Sequence, residues 1–125
     1  MDENIYRTDG SIDTFENSFA GRDYEIAFFA HEFTSVCPMT GQPDFGEITL
    51  TYTPGDRCIE LRSWKFYLQT FRSRGIFYEN VTNRIFDDLM GALKPRRLKL
   101  AVAFTPRGGI STTVTVSHES ATSNL

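Results

Sequence analysis

A cysteine and an acid lie seven residues apart in a turn-rich stretch, at Cys37 and Asp44. Pro38 and Pro43 stiffen the segment between them, and Gly41 allows it to bend. A thiolate attacks electrophilic carbon, and the negative product of that attack needs a nearby acid to supply a proton. Cysteine is also among the most commonly buried residues, so the pair alone leaves a structural thiol open. The spacing is compatible with a nucleophile and a proton donor held on one loop.

Two further stretches bear on the same chemistry. One covers residues 58–67, Cys-Ile-Glu-Leu-Arg-Ser-Trp-Lys-Phe-Tyr, and the other covers residues 75–79, Gly-Ile-Phe-Tyr-Glu. Together with the loop at 36–45, they resemble the motifs of the QueF family, the NADPH-dependent 7-cyano-7-deazaguanine reductases of queuosine biosynthesis. The resemblance is to the short, single-module type of that family and covers residues 22–117.

Two positions depart from the family's motifs. The family has a lysine where this chain has Arg62, and a histidine where it has Tyr78. Arginine keeps the charge and adds a planar fork of donors, so the first departure affects geometry more than charge. We expect Tyr78 to keep the positional role of the histidine and to lose its acid–base role. A tyrosine pKa of about 10 makes it a poor proton carrier at neutral pH.

Length and composition bound the class of protein. The chain has 125 residues, which is the size of one domain, so we expect a single domain over residues 1–125. Its net charge of −3 disfavours nucleic acid as a partner, and no stretch approaches the length of a membrane span. The start of the chain is acidic and lacks an apolar run, which predicts no signal peptide. These features predict a cytoplasmic protein with neither nucleic-acid nor membrane partners.

The chain has two cysteines, Cys37 and Cys58, which are too few for a disulfide scaffold. Free thiols in a reducing compartment are the expectation, although a single bridge between them stays open from sequence. We interpret Cys58 as a buried structural thiol, because the family offers no role for it.

Hydrophobic alternation with a period of two predicts four strands. They cover residues 23–33, 47–53, 98–105 and 110–117, and the last two form a hairpin around the turn at 106–109. Residues 1–20 mix polar side chains with isolated phenylalanines and are expected to form an extended arm. The polar residues 118–125 are expected to form a loose tail.

A helical period fills the middle of the chain. An apolar stripe at i, i+3, i+4 and i+7 begins at Trp64 and ends at Phe71, with Ser63 as the expected N-cap. A second helix is expected to begin near Tyr78 and to end before Pro95. Its inward positions are predicted to be Val81, Ile85, Phe86 and Leu89.

The element order is strand, strand, helix, helix, strand, strand, which predicts an α+β domain. Two helices cover only one face of a four-stranded antiparallel sheet, and the other face carries Ala, Thr and Ser around Phe29. Open sheet edges are a liability unless they are paired, so closure into a barrel by oligomerisation is the economical solution. The QueF resemblance implies the same result, the tunnelling fold or T-fold (ββααββ). It further implies a homo-oligomer of pentamer rings stacked into a decamer.

The resemblance assigns roles to the first motif. Cys37 is the implied nucleophile, which adds to the nitrile carbon to form a thioimide, and Asp44 is the implied proton donor to nitrogen. The structural alternative for Cys37 is an inert loop thiol, and for Asp44 it is an acid that stabilises a turn or caps a helix.

The same resemblance implies a deazapurine site. Glu79 would accept both hydrogen bonds of the donor edge of the base, and Tyr78 would close the pocket. Ile59, Glu60 and Leu61 match the second substrate-contacting segment. A cap acid at a helix start is the structural alternative for Glu79.

NADPH is the implied hydride co-substrate, two per turnover, with no metal. Its extra phosphate requires fixed cations, and Arg62 and Lys65 lie three residues apart on one helical edge. The turn Arg107-Gly108-Gly109 adds a cation and exposed amides. The structural alternative for these basic residues is a solvated surface.

Three rival hypotheses stay open from sequence. QueF-like amidinotransferases use the same Cys and Asp on nitrile-bearing transfer RNA, but they lack the NADPH signature that this chain retains apart from Arg62. GTP cyclohydrolase I shares the fold and binds zinc, whereas this chain has Thr40 three residues after Cys37 and its histidines lie far apart. A non-catalytic T-fold assembly protein is the third hypothesis.

Overall fold

A computed structural model gives the fold and describes residues 10–120. The strands are β1 (Thr14–Glu16), β2 (Ile26–Val36), β3 (Pro43–Thr53), β4 (Arg57–Ile59), β5 (Arg97–Arg107) and β6 (Ile110–Glu119), and the helices are α1 (Leu61–Gln69) and α2 (Tyr78–Leu93). β2, β3, β5 and β6 form a four-stranded sheet in the order β2-β3-β5-β6. β1 and β4 form a separate two-stranded sheet, and every pairing is antiparallel. The predicted four-stranded antiparallel sheet is confirmed.

The core lies between one face of the large sheet and the two helices. Alternate residues of β3 and β5 point into it, because successive strand side chains point to opposite faces. The largest fully buried side chains there are Tyr52, Phe71, Ile48, Leu50, Ile85, Leu89, Leu93, Leu98 and Leu100. Full burial of each such aliphatic side chain stabilises the fold by about 1.5–3 kcal/mol. The helices therefore cover one face of the sheet, as predicted.

Helix α1 begins one turn before the predicted start. Its N-cap is Glu60, whose carboxylate accepts from the Ser63 amide at 2.8 Å and the Arg62 amide at 3.0 Å. Ser63 was the expected N-cap, and that prediction is wrong because Ser63 lies inside the first turn. Its hydroxyl instead accepts from the Asp13 amide at 2.8 Å, which ties the segment before β1 to the helix. The apolar stripe from Trp64 is buried, as predicted.

Helix α2 matches the prediction at both ends. It begins at Tyr78 and ends at Leu93, and Lys94 takes the left-handed cap conformation with a φ of 46° before Pro95. The inward stripe is also confirmed, because Val81, Ile85 and Leu89 are fully buried and Phe86 is half-buried against the core.

Strand boundaries differ from the predictions in several places, since β2 starts at Ile26 and β5 covers Arg97–Arg107. β2 continues to Val36 and β3 starts at Pro43, so the connecting loop is shorter than expected. The paired strands β1 and β4 were not predicted; three residues each is too short for an alternation signal. Of the predicted arm, residues 1–9 lie outside the described part and residues 14–16 form β1. The predicted tail was placed too early, since His118 and Glu119 belong to β6, and residues 121–125 lie outside the described part.

The second face of the large sheet is exposed. Phe29 is 62% exposed on it, among small and polar side chains of β3, β5 and β6. Within residues 10–120, no strand pairs with the outer edge of β6, and the outer edge of β2 has only the bridge between Val36 and Gly75. Neither helix of that part of the chain is long and apolar enough to cross a membrane.

Candidate active site

Cys37 lies in the tight turn that joins β2 to β3. Its amide donates to the Gln42 carbonyl at 2.9 Å, and the Gly41 amide donates to the Cys37 carbonyl at 2.9 Å. Gly41 has a φ of 75°, a left-handed conformation that glycine adopts without steric cost. A bridge between Val36 and Gly75 holds the strand end that leads into the turn. The backbone therefore fixes the position of the thiol.

The same turn activates the thiol. The Thr40 hydroxyl, followed by the backbone amides of Thr40 and Met39, hydrogen-bonds to the sulfur and lowers the pKa of Cys37 below its ordinary value. Burial and the nearby carboxylate of Asp44 raise the same pKa, but less. Cys37 is half-buried and free, which leaves its sulfur open to a reactant. A lowered pKa together with access is the signature of a nucleophilic cysteine.

Asp44 lies on β3 rather than on the loop where it was predicted. Its side chain is only 4% exposed, and it pairs across the sheet with Ser35 of β2. Two donors reach the same carboxylate oxygen, Oδ1: the Arg107 guanidinium at 2.7 Å and the Tyr78 hydroxyl at 3.2 Å. A strand position with two donors fixes this carboxylate more firmly than a loop would.

Tyr78, the residue that replaces the family histidine, is held by its ring. The ring stacks on Phe104 with centroids 3.8 Å apart and an angle of 7° between the planes. Phe104 has room there because Gly46 lies opposite it, where an added Cβ would come within 3.2 Å of the Phe104 ring. Burial, and then the charge of Asp44, raises the pKa of Tyr78 above its ordinary value. Tyr78 therefore stays protonated and donates a hydrogen bond.

These groups line one cleft of about 270 Å³. The lining residues are Cys37, Pro38, Asp44, Phe77, Tyr78, Glu79 and Arg107. Glu79 lies in the first turn of α2, which places its carboxylate at the positive end of the helix dipole. Apolar walls, a thiol, an acid and an exposed carboxylate together suit a small planar ligand with an electrophilic carbon and a donor edge.

The predicted second substrate-contacting segment, residues 59–61, does not line this cleft. Ile59 is buried in the core, and its amide donates to the Tyr52 hydroxyl at 2.9 Å. Glu60 uses its carboxylate as the helix cap, and hydrogen bonds from the Ser63 and Arg62 amides overcome the effect of burial and lower its pKa. Leu61 is 59% exposed and lines a different cavity. A single chain does not bring these residues to Cys37.

The predicted cofactor residues divide into two groups. Lys65 lines a groove of about 700 Å³ between β2 and α1, together with Leu61, Trp64 and Arg72. Arg62 lies on the same helix, with its guanidinium 3.4 Å from Glu60. Thr34 is the last residue of β2 that lines this groove. Val36, which forms the bridge to Gly75, and then Cys37 follow it in the chain.

The hairpin between β5 and β6 carries the second group. Gly108 and Gly109 have positive φ values of 60° and 78° and form the exposed turn, as predicted. Arg107, assigned from sequence to the cofactor, lies instead in the cleft beside Asp44.

Cys58 is buried away from the cleft residues, and no metal site is predicted from sequence. Cys58 is 4% exposed, and both cysteines are free, so the buried-thiol interpretation is confirmed. Among residues 10–120, no group of three or more His, Cys, Asp and Glu side chains is arranged to hold a metal.

Two contributions to the site were not anticipated from sequence. Thr40 was considered only as a position without a zinc ligand, although a threonine in a turn commonly hydrogen-bonds back to a neighbouring group. The contact between Arg107 and Asp44 joins residues 63 positions apart, and no local pattern signals it.

Comparison with known proteins identifies the family of the chain. The sequence pattern of the family described as "QueF-like protein" matches residues 43–123. A protein of Chloroherpeton thalassium is 56% identical over 108 residues, which cover 86% of this chain and 93% of that protein. A protein of Chlorobaculum tepidum is 55% identical over 107 residues, covering 86% and 92%. Both relatives are named NADPH-dependent 7-cyano-7-deazaguanine reductase.

A solved structure has the same fold. It is the crystal structure of the archaeosine synthase QueF-Like in the apo form, with a TM-score of 0.65 and 20% sequence identity. The match covers 75% of this chain and 90% of that chain. At this identity the likeness is one of fold alone, and it agrees with the predicted T-fold architecture.

Proposed function

The chain belongs to the QueF family, and we propose that it is an NADPH-dependent reductase that converts the nitrile of 7-cyano-7-deazaguanine to an aminomethyl group. The names of its relatives at 50–56% identity support this activity, which belongs to queuosine biosynthesis. One observation carries the proposal beyond the names. Cys37, Asp44 and Glu79 line one cleft of a single chain, which supports the proposed roles of nucleophile, acid and base-recognising group.

The first chemical step uses Cys37 and Asp44. The thiolate sulfur bonds to the nitrile carbon while Asp44 gives a proton to the nitrile nitrogen, which leaves a thioimide and an Asp44 carboxylate. Splitting the reduction in this way replaces a poor hydride acceptor with a more electrophilic carbon–nitrogen double bond. The lowered pKa of Cys37 supports this role, because it increases the thiolate fraction at neutral pH.

Recognition of the base is assigned to Glu79 and Tyr78. The ring N–H and exocyclic amine of a deazaguanine form a paired donor edge that one carboxylate accepts. Bases without that edge would leave the carboxylate unpaired, which disfavours their binding. The Tyr78 ring closes the cleft, while its hydroxyl is already engaged with Asp44.

Residues of the groove fit the NADPH phosphates. Lys65 and Arg72 place cations beside the apolar wall of Trp64, and Arg62 adds an exposed guanidinium on the same helix. When bound, NADPH supplies the hydrides, and two are needed because a nitrile takes up four electrons to become an amine. We keep Gly108 and Gly109 as proposed contacts through their exposed amides.

Assembly of several copies would join the groove to the cleft. The groove and the cleft share no lining residue in one chain, and residues 59–61 do not line the cleft, so we propose that a second copy brings its groove and its segment 59–61 to Cys37. The outer edges of β2 and β6 and the exposed face around Phe29 are the surfaces available for this. We therefore propose a homo-oligomer closed through the sheets, with pentamer rings and a decamer as the form expected from the family. Light scattering of the purified protein measures the copy number.

A cytoplasmic location fits this chemistry, since both thiols are free and the reaction consumes a reduced nucleotide. The proposed partner is the deazapurine itself, without nucleic acid or metal.

Intact-protein mass spectrometry tests the proposed function. The protein is mixed with 7-cyano-7-deazaguanine in the presence of a chelator and without NADPH. We expect one covalent adduct with the mass of the base, located on Cys37 by peptide mapping. Addition of NADPH should then discharge the adduct, with two NADPH oxidised for each amine formed.

The Cys58→Ala protein is the matched control and should form the same adduct. A wild-type protein that never gains this mass would refute the reductase proposal. An adduct that persists in NADPH, with no oxidation, would support thioimide chemistry without reduction and would favour the amidinotransferase hypothesis.

A further inference from the structure

Arg107 makes a contact that a cofactor-binding role does not explain. Its Nη2 atom lies 2.7 Å from Oδ1 of Asp44 and 2.6 Å from the Pro43 carbonyl oxygen. Asp44 is 4% exposed and Arg107 is 44% exposed, so the guanidinium lies over a buried carboxylate with its own outer side in solvent. Two acceptors from consecutive residues fix the guanidinium at the start of β3.

The charges around Cys37 make this contact important. The titratable and charged side chains that line the cleft with it are Asp44 from β3, Tyr78 and Glu79 from α2, and Arg107 from β5. A thiolate beside a buried carboxylate places two like charges together, and each disfavours ionisation of the other. The carboxylate of Asp44 indeed raises the pKa of Cys37, against the larger lowering by Thr40. Among the cleft residues, Arg107 is the cation that can offset this repulsion.

The geometry also selects an oxygen. Arg107 and Tyr78 both donate to Oδ1, so that atom is engaged on two sides. Oδ2 is then the oxygen suited to carry the proton and to pass it to a reacting group. When the proton leaves, the charge that was on sulfur ends on a carboxylate already paired with a guanidinium.

We propose that Arg107 is a positioning residue of the catalytic centre, which orients Asp44 through Oδ1 and, in the free enzyme, neutralises the Asp44 carboxylate so that the Cys37 thiolate can form beside it. Asp44 then takes up a proton on Oδ2 before it passes that proton to the substrate. This inference rests on the proposed function for the roles of Cys37 and Asp44. It changes the proposed role of Arg107 from binding the cofactor phosphates to orienting Asp44, the acid that protonates the substrate. Arg107 acts only through Asp44 and need not touch the substrate.

The reactivity of Cys37 without substrate tests the inference. The rate of iodoacetamide alkylation at Cys37 is measured against pH by peptide mass spectrometry in wild type, Arg107→Ala, Asp44→Asn and the double variant. Arg107→Ala should slow alkylation at pH 7 by about tenfold and shift the profile to higher pH, because the carboxylate then repels the thiolate unopposed. In the Asp44→Asn background, the same substitution should change nothing, since no carboxylate is left to neutralise.

Two further variants separate this role from a structural one. Arg107→Lys keeps a cation near Oδ1 and should restore most of the alkylation rate. Arg97→Ala removes an arginine that pairs with Asp23 at the opposite end of β5, and it should leave the rate unchanged. A merely structural effect of Arg107 would slow alkylation equally with and without the Asp44 carboxylate.

The inference and the proposed function fail separately. Equal slowing in both backgrounds, or no slowing by Arg107→Ala, overturns the inference even if wild type forms the adduct with 7-cyano-7-deazaguanine. Absence of that adduct in wild type overturns the function, whatever the alkylation rates show.

Discussion

The two cysteines of this chain lie in opposite surroundings. Cys37 is half-buried in a turn whose amides and threonine hydroxyl point to its sulfur, and an acid, a tyrosine and an arginine share its cleft. Cys58 is 4% exposed on β4, where the Tyr24 hydroxyl lies 3.9 Å from its sulfur. The same side chain is thus accessible with a lowered pKa at one position and buried in the core at the other.

The difference arises from backbone geometry more than from distance to charge. A turn leaves amides unpaired by secondary structure, and these amides are free to bind an anion. A strand uses its amides in the ladder, so Cys58 on β4 has none to spare for its sulfur. We therefore expect the proposed thiolate chemistry at the turn between β2 and β3.

Replacing each cysteine by alanine in turn should give the largest difference in activity. Cys37→Ala should abolish both the adduct and NADPH oxidation, because the sulfur forms the bond that activates the nitrile. Cys58→Ala should keep both. The measurement is NADPH absorbance decay with 7-cyano-7-deazaguanine, and residual turnover by Cys37→Ala would contradict the covalent route.

Removal of the acid should come next in size. Asp44→Asn keeps the shape of the side chain but has no proton to give, so turnover should fall by about 10²–10⁴-fold. Asp87, on the exposed side of α2, supplies the matched control, and Asp87→Asn should be unaffected. A fall of less than tenfold would assign the proton donor to another group.

Whether residue spacing predicts a feature of this protein depends on how far apart in the sequence the interacting residues lie. The turn around Cys37, the stripe of α1 and the stripe of α2 are local patterns, and each of them was recognisable from residue spacing. The family resemblance placed Cys37, Asp44, Tyr78 and Glu79 in one site, and the cleft contains all four.

Long-range contacts were not predictable in the same way. Ser63 accepts a hydrogen bond from the Asp13 amide, 50 positions away, and Glu60 rather than Ser63 caps α1. The placement of Arg107 on Asp44 follows from the pairing of β3 with β5, which local spacing does not encode. Such contacts depend on tertiary register, which only the folded chain supplies.

Thr40 tests whether the turn itself activates Cys37. Thr40→Val keeps the branched shape and removes the hydroxyl, so the pKa of Cys37 should rise and alkylation at pH 7 should slow by about tenfold. The whole alkylation profile should move to higher pH, since the thiolate fraction grows as pH rises through the pKa. Thr40→Ser retains the hydroxyl and should behave as wild type. An unshifted profile in Thr40→Val would leave the backbone amides as the sole cause.

A smaller loss is expected at Tyr78. Tyr78→Phe retains the ring that stacks on Phe104 and removes only the 3.2 Å hydrogen bond to Asp44. Because Arg107 still holds the same oxygen, turnover should fall by about threefold, close to the worth of one ordinary hydrogen bond. Steady-state kinetics of Tyr78→Phe and Asp44→Asn measure the two losses of turnover. A loss as large as that of Asp44→Asn would mean that the tyrosine itself carries the proton.

The smallest effect should be on stability, at the second cysteine. Cys58→Ala removes one buried sulfur from the packing beside Tyr24 and should lower the free energy of unfolding by about 1 kcal/mol, the usual cost of a small cavity. Urea denaturation followed by tryptophan fluorescence reports it, because Trp64 is buried in the same core. Alkylation of Cys37 in this variant should match wild type at every pH. If Cys58→Ala shifted that profile, the two thiols would be coupled, and the turn alone would no longer account for the reactivity of Cys37.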